Sequence, residues 1–325
     1  MSQKLVIRKA SRKKASLKIG FAAPSGAGKT MSSLLFAFGM MKEKYPNLPD
    51  AKLWEKIIII DTENGSGELY VGFEVGGESN ITIGEYAALT LKAPFEPSKY
   101  TSAIRLVEDN DFEVCIIDSL THMWQGQGGA LEKQSNIAAK KGNSWTAWKD
   151  VTPEINRMID TILQSDMHIL ATMRSKTEHV QEKNETGRTV IRKVGMNPII
   201  RGGMEYEFTI FFDVDIDHKT SCSKDRTGLF DGKYFIVSPA QGQEAMKWIM
   251  GGSDDFGEVI PIKMSKEDEM KSLVKQVHEK YTELGGKTND ELMGVMKKYE
   301  STGNPNNIKT VEELKKLLTE VKEIE

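Results

Sequence analysis

Cysteine is almost missing from this chain. Cys115 and Cys222 are the only two in 325 residues, and neither sits in a metal-ligand spacing. That excludes a disulfide-dense scaffold and a zinc module, and it fits a reducing compartment. Cys115 lies inside an apolar run and reads as a core residue. Long apolar runs are missing too. None approaches the ~20 residues of a membrane span, and no signal-type apolar stretch follows the basic start. The expectation is a cytoplasmic protein with no membrane partner. A strong charge of one sign is also lacking. The formal net charge is -3, so no global basic field points to nucleic acid. There is no internal repeat and no low-complexity segment.

The start of the chain departs from that balance. Its first 18 residues hold Lys4, Arg8, Lys9, Arg12, Lys13, Lys14 and Lys18 and no acid. A solvated arm beside the first strand and a contact with a polyanion are both open readings. Beyond it, short apolar β-rich runs alternate with helical segments. Ile57–Asp61, Val114–Asp118 and the run from Met167 to Thr172 read as strands buried on both faces. Pro97 to Glu108 and Trp145 to Leu163 fill the helical slots between them. The run from Phe208 to Asp215 reads as a further strand, with 233–237 as its hairpin partner. This order predicts an α/β fold, a mostly parallel sheet with helices on both faces, plus a small C-terminal helical module.

The expected domains are a basic arm at 1–18, a core at 19–250, a linker at 251–262 and the helical module at 263–325. In that module Ser265 caps a helix running to about Leu284, and Thr310 with Glu313 opens a last helix. Leu314, Leu317, Leu318 and Val321 form one apolar stripe. It reads as packing within the module, with a protein-partner site as the alternative.

The most informative stretch is Ala23-Pro24-Ser25-Gly26-Ala27-Gly28-Lys29-Thr30. It reads A-x-x-x-x-G-K-T, a phosphate-binding loop with Ala for the usual first Gly. An apolar strand-like run precedes it and a helical run from Met31 follows, which is the context the motif needs. Small residues let backbone N–H groups wrap a phosphate at a helix N-terminus. The nucleotide-contacting set is Pro24, Ser25, Gly26, Ala27, Gly28, Lys29, Thr30 and Met31. Lys29 would bridge the β- and γ-phosphates of ATP, and Thr30 would bind Mg²⁺.

Asp118 ends the strand of Phe112-Glu-Val-Cys-Ile-Ile-Asp-Ser119, a Walker B pattern, so it joins Thr30 as a Mg²⁺ candidate. A general base is sought next. In many AAA+ ATPases it follows that Asp, but here the residue is Ser119. Ile57-Ile-Ile-Ile-Asp61-Thr62-Glu63 offers Glu63, just past the neighbouring strand, to orient water for in-line attack. Asp61 is the alternative for that role.

Taken together, A-P-S-G-A-G-K-T, I-I-I-I-D-T-E-N-G, V-C-I-I-D-S and M-H-I-L-A-T-M-R resemble the RecA superfamily. More narrowly, the opening Lys9-Ala-Ser-Arg-Lys-Lys14 with Leu17-Lys-Ile19, the Asp61-Thr-Glu63 and Arg201-Gly-Gly-Met-Glu-Tyr-Glu-Phe208 look like small phage ATPases with a single RecA core, some assigned to recombination or annealing and others only as AAA ATPases, over about residues 5–245. The resemblance implies a catalytic Glu at Glu63 and a polar sensor at Thr172, with Arg174 close behind. It implies that Ser223-Lys-Asp-Arg-Thr-Gly228, a K-x-R-x-G hairpin, carries cationic fingers. Lys224 and Arg226 would then reach a neighbour's ATP site in a homo-oligomeric ring or filament. An exposed charged hairpin is the plain alternative. The resemblance does not extend to the large flanking domains of RecA itself, so a strand-exchanging filament is not part of the expectation.

The resemblance also implies that loops after the Walker B and sensor strands line a path for single-stranded DNA. Two long polar stretches occupy those places, from Gln125 to Asn143 and from Lys176 to Gly203, and both read as loops. The DNA candidates are Lys140 and Lys141 in the first, and Lys176, Arg188, Arg192, Lys193 and Arg201 in the second. Lys133, His179 and Lys183 lie beside them. Trp124, Trp145 and Trp148 flank the first stretch, with stacking on bases or packing in the next helix as their two readings. The functional expectation is an ATPase acting on single-stranded DNA in phage-type recombination, replication or repair. A RecA-core ATPase loading or assembling a protein partner is the alternative. A small-molecule kinase fits less well, because the K-x-R-x-G hairpin and Glu63 suit water activation.

Overall fold

A computed structural model describes residues 7–10, 12, 14–76, 80–183, 189–253, 259–260 and 265–324, with backbone alone for 7, 177–183, 189–196 and 259. Residues 11–255 form one compact unit, and residues 1–10 with 256–325 form another.

The larger unit opens with β1 (Lys18–Ala23), α1 (Lys29–Lys44), β2 (Ile57–Asp61), β3 (Ala87–Thr90), α2 (Pro97–Glu108) and β4 (Val114–Asp118). It continues through α3 (Leu120–Gln125), α4 (Ala130–Lys141), α5 (Ser144–Gln164), β5 (His168–Lys183) and β6 (Thr189–Pro198). It closes with β7 (Ile210–Val214), β8 (Lys219–Asp225), β9 (Phe235–Ile236) and α6 (Pro239–Met250). Among the described residues nine strands form the central sheet, in the order β9-β8-β7-β1-β5-β4-β2-β3, with β6 paired to β5 off that path. From β7 to β3 every neighbour is parallel. The pairs β7–β8, β8–β9 and β5–β6 are antiparallel.

Strand alternation explains why those runs are apolar throughout. Ile57 and Ile59, with Val114 and Ile116, face a core that also holds Phe36 and Phe38 of α1 and Met246 of α6. Ile58 and Ile60, with Cys115 and Ile117, face a second core against α2 and α5. A strand covered on both faces reads as a near-continuous apolar run. Each such side chain contributes roughly 1.5–3 kcal/mol on burial. Helices α1 and α6 meet backbone to backbone. A Cβ on Gly39 would lie 2.0 Å from the Pro239 carbonyl oxygen, and one on Gly242 would lie 2.0 Å from that of Phe36.

Three sequence expectations change here. The polar stretch from 125 to 143 is mostly helix α4, which buries only Ala130 and Gln134. The stretch from 176 to 203 is mostly the β5–β6 hairpin, paired from Ser175↔Pro198 to Lys183↔Thr189. The antiparallel partner of β7 is β8, and residues 235–236 pair with β8 instead. Lys18 also turns out to be no arm residue. It is 4% exposed, and its ammonium donates to the carbonyls of Ser165 (2.8 Å) and Met167 (2.6 Å). Lys4 and Lys13 lie outside the described residues.

In the smaller unit Ile7–Arg8 pairs with Val259–Ile260. Helices α7 (Lys266–Glu283), α8 (Asp290–Tyr299) and α9 (Val311–Lys322) follow. Ser265, Asn289 and Thr310 cap them through their side chains. Leu314, Leu317, Leu318 and Val321 are buried against Leu273, Val277, Leu292 and Met296. The apolar stripe of α9 is therefore packed inside its own module. Residues 251–262 fall largely outside the described residues. Among the described residues no helix is long and apolar enough to cross a membrane.

Candidate active site

The parallel strands β1, β5, β4 and β2 end side by side, and the phosphate loop leaves β1 at that edge. Gly26 and Gly28 have φ of +82° and +86°, where a Cβ is strained. Gly28 opens α1, so the helix N-terminus and its unpaired N–H groups face the loop. Lys29 and Thr30 are both 7% exposed.

Strand register brings the other groups to this end. Asp61 pairs with Asp118 across β2–β4, and Phe21 pairs with Thr172 across β1–β5. The Thr30 hydroxyl donates to Asp118 Oδ2 at 2.6 Å, and the Thr172 hydroxyl donates to Oδ1. Asp118 is fully buried. Burial pushes its pKa up, while the hydroxyl bonds from Thr172 and Thr30 pull it down. Thr30 and Asp118 together present oxygen donors alone, the chemistry a hard cation such as Mg²⁺ takes.

The turn after β2 separates the two candidate bases. Asp61 is buried, and its Oδ1 and Oδ2 accept from the backbone N–H groups of Glu63 and Gly65. Both of its oxygens are thus engaged in shaping the turn. Glu63 is instead presented by that turn, and its Oε1 accepts from Arg174 Nη2 (2.9 Å) and Nε (3.2 Å). Arg174 follows Thr172 on β5, and its backbone N–H donates to Thr121 Oγ1 at 2.9 Å.

Thr62, between Asp61 and Glu63, was not singled out from sequence. Its hydroxyl lies 2.7 Å from His122 Nδ1 and accepts from the Ser119 N–H at 2.9 Å. It ties the ends of β2 and β4 to α3. His122 stacks on Phe95, with ring centroids 5.0 Å apart. Burial, then the Arg174 cation, holds the His122 pKa down. The Ser119 hydroxyl is buried without a partner among the described residues. In the sequence the D-T-E spacing points to Thr62, and no motif points to His122.

Lys224 and Arg226 lie elsewhere. Lys224 pairs with Phe211, which pairs with Gly20 near the start of β1, so both cations sit toward the far end of the strands from the loop. The Lys224 ammonium and the Arg226 guanidinium both donate to the Tyr206 carbonyl. No carboxylate pairs with either among the described residues. Burial, then the Arg226 charge, lowers the Lys224 pKa. A bulge between Phe211 and Phe212 offsets this end of β8.

The DNA candidates divide. Lys140 is exposed, but Lys141 is paired with Asp150 at 2.6 Å. Lys133 is likewise paired with Glu154. Lys176 is exposed on β5, just past Arg174, the last residue β5 shares with β1. Arg188 lies outside the described residues, as do the side chains of His179, Lys183, Arg192 and Lys193. Arg201 bonds Asn156 at 2.7 Å and lines a cleft of about 620 Å³ with Trp124, Trp145, Trp148 and Lys149. Trp124 and Trp148 stack with centroids 5.8 Å apart and planes 19° from parallel. They are half-buried, whereas Trp145 is 80% exposed.

Residues 15–245 match the protein family described as AAA domain, which is well over half of the chain. No curated protein matches it.

Proposed function

We propose, from the premise that the chain belongs to the AAA domain family of P-loop ATPases, that its core is of the RecA type and hydrolyses ATP while acting on single-stranded DNA. The setting would be phage-type recombination, replication or repair. The observation that carries the ATPase reading is the buried Asp118 carboxylate, held between Thr30 of the phosphate loop and Thr172 of β5, with Glu63 presented on the adjoining strand end.

Thr30 and Asp118 would hold Mg²⁺, which neutralises charge on the phosphate oxygens when bound. Lys29 binds the β- and γ-phosphates, and the Thr172 hydroxyl keeps Asp118 aimed at the metal position. Glu63 accepts the proton of the attacking water. The engagement of both Asp61 oxygens favours Glu63 over Asp61 as that base. Arg174 holds Glu63 through its Nη2 and Nε.

Lys224 and Arg226 are read as fingers acting in trans. They stand six or more residues along β8 from the turn beside their own phosphate loop, about 20 Å at ~3.3 Å per residue. A neighbouring subunit in a ring or filament offers the phosphate that two cations sharing one carbonyl lack.

The DNA reading is supported by the aromatic cleft. Trp145 offers an open ring face, and Lys149 and Arg201 line the same cleft as cations for phosphates. Base stacking on aromatic rings is worth about 1–3 kcal/mol per base. Helix α3 begins at Leu120, directly after Asp118 and Ser119, and carries Trp124 into the cleft. That gives bound DNA a short covalent path to the metal-binding acid. The test is oligo-dT binding by fluorescence anisotropy across salt, for wild type and Trp145→Ala. Affinity should fall steeply with salt through counterion release, and Trp145→Ala should bind at least about fivefold more weakly. A folded wild-type protein that binds no single strand at low salt would favour the protein-partner reading.

A further inference from the structure

The turn between β7 and β8 reaches back onto the phosphate loop. Strand β7 runs parallel to β1, so Val214 leaves the sheet on the same side as Ala23. The turn that follows is fastened by Asp215, whose Oδ1 accepts from the N–H groups of Asp217 (2.9 Å) and Lys219 (2.8 Å). This leaves His218 at φ +65°, a backbone that disfavours a residue with a Cβ. Held there, its Nδ1 lies 3.0 Å from the Ala27 carbonyl oxygen. A carbonyl only accepts, so Nδ1 carries the hydrogen and donates. A Cβ on Gly28 would lie 3.2 Å from the same nitrogen, so the imidazole packs directly on this part of the loop.

The geometry of one peptide unit gives that contact a consequence. In a planar trans peptide the C=O and N–H point in opposite directions. Holding the Ala27 carbonyl outward therefore turns the Gly28 N–H inward. Inward N–H groups are what such a loop offers a phosphate. A hydrogen bond to the carbonyl also polarises the same peptide, strengthening its N–H as a donor.

We propose that His218 is a positioning residue of the nucleotide site, holding the Ala27–Gly28 peptide with its N–H toward the bound phosphates. The proposal rests on the ATP reading of the loop. Nothing in the sequence marked His218, because it meets Ala27 only through the β7–β1 register.

Two variants separate the hydrogen bond from the backbone. His218→Gly accepts the left-handed φ and removes the donor. His218→Asn keeps a donor and tolerates that φ. Affinity for ADP and for a non-hydrolysable ATP analogue is read by fluorescent-nucleotide titration, with Tm of the nucleotide-free protein and the Gly28 amide NMR shift alongside. His218→Gly should bind about fivefold to tenfold more weakly, the scale of one net hydrogen bond. Its KM for ATP should rise while kcat at saturation holds, its Gly28 amide shift should move, and its Tm should not fall. His218→Asn should stay within about twofold of wild type. Wild-type affinity in His218→Gly overturns the proposal, as does equal weakening in both variants with a fall in Tm. If the folded wild-type chain binds no nucleotide, the ATP reading and this proposal fall together.

Discussion

Replacing Glu63 by Gln separates catalysis from stability, because the proposed base role and the observed ion pair predict effects of very different sizes. Among the described residues Glu63 makes one ion pair, to Arg174, with the two side chains 18% and 40% exposed. A pair that open to solvent contributes under about 1 kcal/mol, and the Gln carbonyl can still accept from the guanidinium. In the proposed role of base for water attack, the same carboxylate would contribute ~10²–10⁴ in rate, or about 3–5 kcal/mol of barrier at 1.36 kcal/mol per decade. Glu63→Gln should therefore fold like wild type, bind ATP like wild type and turn it over at least about a hundredfold more slowly. Asp61→Asn should do something else. It leaves one of two backbone N–H groups without its acceptor, so its Tm should fall. A coupled ATPase assay with thermal denaturation and nucleotide titration reads all three quantities. Turnover within about threefold of wild type in a folded Glu63→Gln protein would refute the assignment, since no base worth ~10² could be lost so cheaply.

His168 sets a pH dependence at the opposite end of the strands. Burial, then the charges of Lys44 and Lys18, lowers its pKa from 6.5 to about 4, and its Nδ1 accepts the Leu17 N–H at 3.0 Å. The unfolded chain takes up a proton near pH 6.5 that the folded chain refuses, so this stabilisation is full above pH 6.5 and is lost as pH falls toward 4. The full span is worth roughly 3 kcal/mol. Urea denaturation from pH 7 to 4 should show wild type losing stability relative to His168→Gln, and parallel curves would contradict the burial argument. For the fingers, Lys29→Ala and Arg226→Ala subunits should each be inactive alone and recover turnover when mixed. A mixed interface joins an intact loop on one chain to an intact finger on the other, so a silent mixture despite proven co-assembly would count against action in trans.

Legibility from the sequence followed burial. Strands β2 and β4 were read to the residue because two-sided burial leaves an unbroken apolar run ending in Asp. Helix α4 was not read, since a helix that buries only Ala130 and Gln134 has no apolar stripe. The β5–β6 hairpin escaped for a related reason: beyond Arg174 the β5 arm is polar except for Val180, so the sequence offers no apolar run there. Strand β3 is four residues of half-exposed Ala-Ala-Leu-Thr and gives no run to find. Helix α6 could have been found. Ser238 and Gln241 form a capping box with Pro239 at the first helical position.

At the site, motifs gave residue types at strand ends, and only the register gave their contacts. Thr30, Asp118 and Thr172 were each named from sequence, yet that one carboxylate joins both hydroxyls depends on β1, β5 and β4 being neighbours. The engagement of Asp61 with its own turn, and the placing of Thr62 between β2, β4 and α3, are properties of three-dimensional closeness that no linear pattern carries.

The central claim is that this chain hydrolyses ATP through the phosphate loop and does so in response to single-stranded DNA. Steady-state ATP turnover, measured with and without oligo-dT over a range of protein concentrations, tests it most directly. Wild type should hydrolyse ATP only with Mg²⁺ present, with a specific activity that rises with protein concentration and rises further with the single strand, while folded Lys29→Ala stays at background. Equal turnover by wild type and Lys29→Ala, or a wild-type rate indifferent to both DNA and protein concentration, would contradict it.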